Sequence, residues 1–152
     1  MRKSVIIADS SPLITLLKIN ELDLLKAVYG QVWVTELVQH EVGETLPDWV
    51  VVTGDYDHQL FKSIRLRLDA GEASSIALAL GQQNSTLIID ERKGRATARQ
   101  YGLPIIGLLG VLIKAHQLDL TLDVGSVFDK ILLTDFRVSE SLIRSVRKEL
   151  SQ

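Results

Sequence analysis

A chain of 152 residues, 46% hydrophobic and 24% charged, can close one compact core, and no shift in composition marks a second domain. It has no cysteine, which excludes disulfides and thiolate metal sites and makes a reducing cytoplasm the expected setting. A net charge of -2 and a pI near 5.9 argue against a uniformly basic nucleic-acid coat, but not against an enzyme that gathers acids around metal ions.

Met1–Lys3 lead into a short apolar run, too short for a signal-peptide core or a membrane span, and no later stretch stays uncharged for long. Ser4–Ala8 reads as a strand buried on both faces, ending at Asp9. Ser11-Pro12 predicts a helix start, with Ser11 as N-cap and Leu13, Leu16 and Leu17 on the buried face. A second helix is expected over Glu21–Tyr29, closed by Gly30. Val32–Val34 gives a short strand, and Thr35 caps a helix running to about Glu44. Beyond Pro47, Val50–Val52 supplies an edge or connecting strand. Helices follow over Asp57–Leu68 and Gly71–Gly81, the latter with Ala73, Ile76, Ala77 and Leu80 at helical spacing. Thr86–Ile89 is a second buried strand, again ending on an acid, Asp90. An arginine-rich helix reaches Tyr101 and Gly102, and Pro104–Ile106 forms a short strand. Helices over Leu108–His116, Val124–Leu133 and Ser139–Leu150 complete the chain.

Strands alternating with helices predict an α/β fold, three-layered α/β/α around a short, mainly parallel sheet, in a single domain over 1–152. Ligands of such sheets bind beyond the carboxyl ends of the strands, where strand order reverses. Asp9 and Asp90 hold such positions, where a carboxylate is costly unless capped, paired or bound to a metal. A helix N-cap is the ordinary alternative for either; for Asp9 it competes with Ser11. Glu41 lies one turn after Leu37, on what is expected to be the buried side of its helix. Glu72 lies in a run of small residues, at a first-turn position that also suits the helix dipole. Spacing alone leaves both glutamates as plain helix residues.

Four segments change that reading: Ile6–Ile14, Val38–Val42, Asp69–Ala79 and Leu87–Glu91 together resemble the PIN domain. Gly102–Leu112, with Gly107-Leu108-Leu109-Gly110, resembles more narrowly a prokaryotic PIN-like branch related to the VapC toxins. The resemblance runs from about Ile6 to the C-terminal helix. It implies an acid quartet of Asp9, Glu41, Glu72 and Asp90, with Ser10 as the small hydroxyl residue after the first acid. Two positions depart from the pattern. Asp90-Glu91 leaves open which carboxylate, or both, faces a metal, with Asp90 favoured as the strand's end. Ile89 stands where the toxins carry threonine.

Four like charges in a partly desolvated pocket repel unless a cation neutralises them. Oxygen ligands, with His40, His58 and His116 scattered, favour Mg²⁺ or Mn²⁺ over Zn²⁺. The expected activity is metal-dependent endoribonuclease action, leaving 5′-phosphate and 3′-hydroxyl ends by family resemblance. Arg92, Lys93, Arg95 and Arg99 are candidate RNA-phosphate contacts or an ordinary charged helix face; Lys62, Arg65 and Arg67 form a weaker group. The resemblance also implies a toxin paired with a small antitoxin protein, and a homodimer. The apolar residues of the first two helices, Leu13, Ile14, Leu16, Leu17, Ile19, Leu22, Leu24 and Leu25, exceed one buried stripe and point the same way, unless the remaining helices of the same chain cover them. The alternative is a catalytically weak or inactive PIN-like module that binds RNA or protein. An aspartyl-phosphate enzyme is disfavoured by Ser11 where a second aspartate is needed, and a P-loop enzyme by the lack of its motif.

Overall fold

The computed structural model describes residues 4–118 and 122–152; the reading of Met1–Lys3 lies outside them. Five parallel strands run in the order β3-β2-β1-β4-β5: β1 Val5–Ala8, β2 Val32–Thr35, β3 Val50–Thr53, β4 Ser85–Ile88 and β5 Ile105–Ile106. Nine helices among the described residues complete an α/β/α arrangement: α1 Ser10–Lys18, α2 Asp23–Tyr29, α3 Glu36–Val42, α4 His58–Arg65, α5 Ala70–Leu80, α6 Arg92–Gln100, α7 Leu108–Gln117, α8 Val124–Leu132 and α9 Glu140–Leu150. None is long and apolar enough to cross a membrane.

The sheet is buried on both sides because its side chains alternate. Ala8, Val32, Val34 and Ile88 join the core under α1, α2, α7 and α8, whereas Ile7, Leu87 and Ile89 face the core of α4, α5 and α6. Every residue from Gly71 to Ala79 is buried, and the small side chains there let α5 approach the sheet closely. The leucines Leu13, Leu16, Leu22, Leu24 and Leu25 are buried within this chain, and Ile14, Leu17 and Ile19 are half-buried. Their apparent excess therefore reflects cover from the same chain, with α3 packed on α1, α7 on α2 and residues of α8 in the same core, and gives no argument for a homodimer.

Several boundaries differ from expectation. Helix α1 begins at Ser10 with Asp9 in the N-cap position, rather than at Ser11-Pro12. Pro12 still falls among the first residues, whose N–H groups have no intrahelical partner, so its ring costs nothing there. Helix α2 starts at Asp23, after a turn in which Asn20 takes φ 59°. Helix α4 stops at Arg65, and Leu66–Leu68 tighten into a turn that delivers Asp69 as the N-cap of α5.

The chain steps from β1 outward through β2 and β3, then returns to the other side of β1 as β4. The switch in strand order lies between β1 and β4. The first residues beyond these two strands are the ones on which chemistry depends.

Candidate active site

Asp9 is held where β1 meets α1: its N–H donates to the Ile88 carbonyl at 3.0 Å, and its backbone is extended in the N-cap position. The side chain makes no capping hydrogen bond, so the capping alternative fails at the level of geometry. The residue is 2% exposed and its Oδ1 has no partner. Burial, eased by the Ser10 backbone and reinforced by Asp69, Glu41 and Asp90, pushes its carboxyl up to about 7.

Glu72 is also buried, at the first turn of α5. Its carboxyl is pushed up to about 9 by burial and by contacts with the carboxyls of Asp69 and Glu91. Its Oε2 is buried and unpartnered. Asp90 is half-buried; its Oδ1 accepts the Leu108 N–H at 3.0 Å, tying β4 to the start of α7, while its Oδ2 is a third orphan. Burial pushes its carboxyl up from the ordinary carboxylate value, against the pull of the Leu108 N–H and Arg95.

Glu41 sits at the rim rather than on a buried face: the residue is exposed overall, with its carboxyl laid against Gly71. Partial burial and Asp69 raise it, while Arg65 and His40 act against them. The helix that carries it is locked to α5 through Thr35. The Thr35 hydroxyl accepts the Val38 N–H and bonds Ser74 Oγ at 2.8 Å, and Ser74 in turn donates to Gly71 C=O. This polar relay holds α3, which carries Glu41, against α5, which carries Glu72.

The structure gathers more acids than the quartet. Asp69, absent from the expected set, caps α5 through Oδ1, which accepts the Glu72 N–H at 2.9 Å, and acts on Asp9, Glu41 and Glu72. Glu91 caps α6 by accepting the Gly94 N–H at 2.9 Å and also touches Glu72. Burial works against its charge, but the hydrogen bonds from Gly94 and Glu72 prevail and hold it below the usual range. Within a strand, neighbours such as Asp90 and Glu91 would point opposite ways, leaving one away from the site. Strand β4 ends at Ile88, alternation does not extend past it, and both acids stay at the cluster.

Three glycines leave the room these carboxyls occupy. A Cβ on Gly71 would collide with the Glu41 carboxyl. One on Gly94 would lie 2.6 Å from Glu72 Oε2, and one on Gly107 would lie 2.8 Å from Asp90 Oδ1. The result is a bowl with Asp9 and Glu72 as floor, Asp90 as wall, and Glu41, Asp69 and Glu91 as rim. Among the described residues, no three of these acids stand close enough to enclose an ion as they lie. The donor set nonetheless fits a hard divalent cation. Three buried carboxyl oxygens without partners are costly on their own, and a cation is what such oxygens bind.

Beside Asp90 and Glu91 opens a cleft of about 920 Å³ between α1, the β5–α7 turn and the segment linking α8 to α9. Of the four basic residues that are candidate RNA contacts or an ordinary charged helix face, only Arg95 lines it; Arg92, Lys93 and Arg99 are exposed elsewhere on α6.

A parallel α/β sheet with an acidic bowl at its switch point defines the class to which this molecule belongs. The family model of the PIN domain matches residues 5–152, and the chain belongs to that family, whose members are generally nucleases acting on nucleic acid with divalent metals. No curated protein and no solved structure gives a match.

Proposed function

We propose that the protein is a Mg²⁺- or Mn²⁺-dependent endoribonuclease. The observation that carries this reading is the set of three buried, unpartnered oxygens on Asp9, Glu72 and Asp90 at the switch point of a PIN fold. These residues would hold the cation, with Glu41 at the rim to complete the shell or position a water. When bound, the cation supplies a water of lowered pKa and neutralises charge on the phosphate. Asp9 and Glu72 must give up their protons for this role, since burial favours their neutral forms. Asp69 and Glu91 brace Glu72 from the two helix caps. Hydrolysis of the phosphodiester would leave 5′-phosphate and 3′-hydroxyl ends.

A toxin role with a small antitoxin partner, and a homodimer, extend this reading on family resemblance. They belong to the same proposal, as does action in the cytoplasm by a single domain spanning 1–152. The test is incubation of mixed cellular RNA with wild type and Asp9→Asn, in Mg²⁺, in Mn²⁺ and in EDTA, followed by end-sequencing. Cleavage confined to wild type with metal, with 5′-phosphate ends, is expected. RNA bound but uncut under every condition would favour the non-catalytic binding module instead.

A further inference from the structure

Six carboxyls surround the site, yet the two arginines nearest them are paired with none. Among the described residues the ion pairs are Lys18–Asp135, on the lining of the cleft, and Lys130–Glu21 and Arg147–Asp129; none involves an acid of the bowl. Arg65 and Arg95 are instead pinned by backbone. Arg65 Nη1 donates to the Leu68 carbonyl at 3.0 Å, and Arg95 Nη1 donates to the Ile89 carbonyl at 2.8 Å. Leu68 precedes Asp69 and Ile89 precedes Asp90, so each guanidinium is anchored one residue before a site acid. A guanidinium has five N–H donors, and those not used in anchoring are available to an anion.

The two arginines stand on opposite flanks. Arg65 acts on Glu41, whose helix follows β2, while Arg95 acts on Asp90, beyond β4. Asp9, at the end of β1, lies between those strands in the sheet. The flanks are unlike in shape. Arg65 is on open surface, whereas Arg95 lines the cleft, whose walls include Ile14, Ile106, Leu109 and Phe136, with Arg137 also on its lining. The same lining carries Lys18 paired with Asp135, and Asp90 and Glu91 where the cleft meets the bowl. Its apolar wall therefore suits a nucleobase, while Arg95 and Arg137 are its cations free of ion pairs among the described residues, open to a phosphate.

We infer that Arg65 and Arg95 hold the phosphates on either side of the scissile one in single-stranded RNA, and that the cleft beside Arg95 takes the nucleotide on that flank against Phe136. This rests on the nuclease reading and adds an asymmetry to it. On the Arg65 flank only a phosphate is held, so base identity does not matter there. On the cleft flank a base is enclosed, so discrimination is confined to that side of the cut.

The test is Mn²⁺-supported cleavage of a random-sequence single-stranded RNA pool by wild type, Arg65→Gln, Arg95→Gln, Arg65→Lys and Phe136→Ala, read by KM, kcat, salt dependence and end-sequencing. Each Arg→Gln change should raise KM at least about tenfold, the loss of a charged hydrogen bond, with kcat within about threefold. Each should also lower the slope of log(kcat/KM) against log salt by about 0.7, one phosphate contact. Arg65→Lys should keep the wild-type slope. A purely structural role for the anchors would shift melting temperature and leave the salt slope unchanged. Base preference should appear on one side of the cut and vanish in Phe136→Ala. Unchanged slopes in both Arg→Gln variants, or equal preference on both sides, would overturn the inference while leaving the nuclease intact. A wild type that cuts no RNA with either ion would overturn both.

Discussion

Replacing Asp9 with asparagine should stabilise the metal-free protein at pH 8 and remove its response to divalent cations. Burial pushes the Asp9 carboxyl from 3.8 up to about 7. Below about pH 4 the folded and unfolded chains both keep the proton. As pH rises toward 7 the unfolded chain releases it first, so the folded state is progressively penalised, and above 7 the penalty is constant. At about 1.4 kcal/mol per pH unit, that penalty at pH 8 is on the order of 4 kcal/mol. Asparagine is nearly isosteric and uncharged, but its buried amide is left short of partners at a cost of ~1–3 kcal/mol. The net gain of roughly 1–3 kcal/mol corresponds to a melting temperature higher by roughly 2–12 °C for a chain of this size. At pH 5 most of the wild-type penalty is absent, so the variant should melt at or below wild type. Circular dichroism melts in EDTA at the two pH values read this directly, and excess Mn²⁺ should then raise wild type alone. A variant less stable than wild type at pH 8 in EDTA would refute the reasoning, because it would mean the Asp9 carboxylate is satisfied within the fold.

Gly71→Ala should displace the Glu41 carboxyl, a flexible group, and reduce cleavage at least about tenfold while costing less than ~1.5 kcal/mol of stability; paired rates and melts check both halves. Asp90→Asn should abolish cleavage, whereas Glu91→Gln keeps an oxygen for the Gly94 N–H and should spare most of it; the reverse result would move the metal role to Glu91. Thr35→Val removes the acceptor for Val38 N–H and the partner of buried Ser74, and should cost ~1–3 kcal/mol in denaturant titration. Cleavage at limiting Mn²⁺ should rise as pH increases from 6 to 9, since Asp9 and Glu72 ionise over that interval; a rate that falls with pH would contradict their role as ligands.

The sheet could be read from the sequence because β1 and β4 are buried on both faces and so appear as unbroken apolar runs. Asp9 and Asp90 were visible for the same reason, as charges closing those runs. Glu41 and Glu72 were not: on a helix a glutamate at first-turn or apolar spacing looks like any other, and only the family pattern singled them out. Asp69 was hidden by its second role. A capping aspartate three residues before a glutamate is an ordinary helix start, and nothing local distinguishes a cap that also faces a cluster. The glycines at 71, 94 and 107 were equally silent, because what each makes room for comes from another element. Among the cations of α6, only the bond from the Arg95 side chain back to the Ile89 carbonyl decides which one turns to the site. The apolar surplus of α1 and α2 misled because part of what covers it, α7 on α2 and the α8 residues of the same core, comes from much later in the chain.

The claim on which the rest depends is that the acidic bowl is a divalent-cation centre. Calorimetric titration of Mn²⁺ into metal-free protein at neutral pH, repeated in buffers of different ionisation enthalpy, measures it most directly. Saturable binding that releases protons from the buried carboxyls, and that is lost in Asp9→Asn, is the predicted result. Absence of binding by wild type, or binding equally strong in Asp9→Asn, would contradict it.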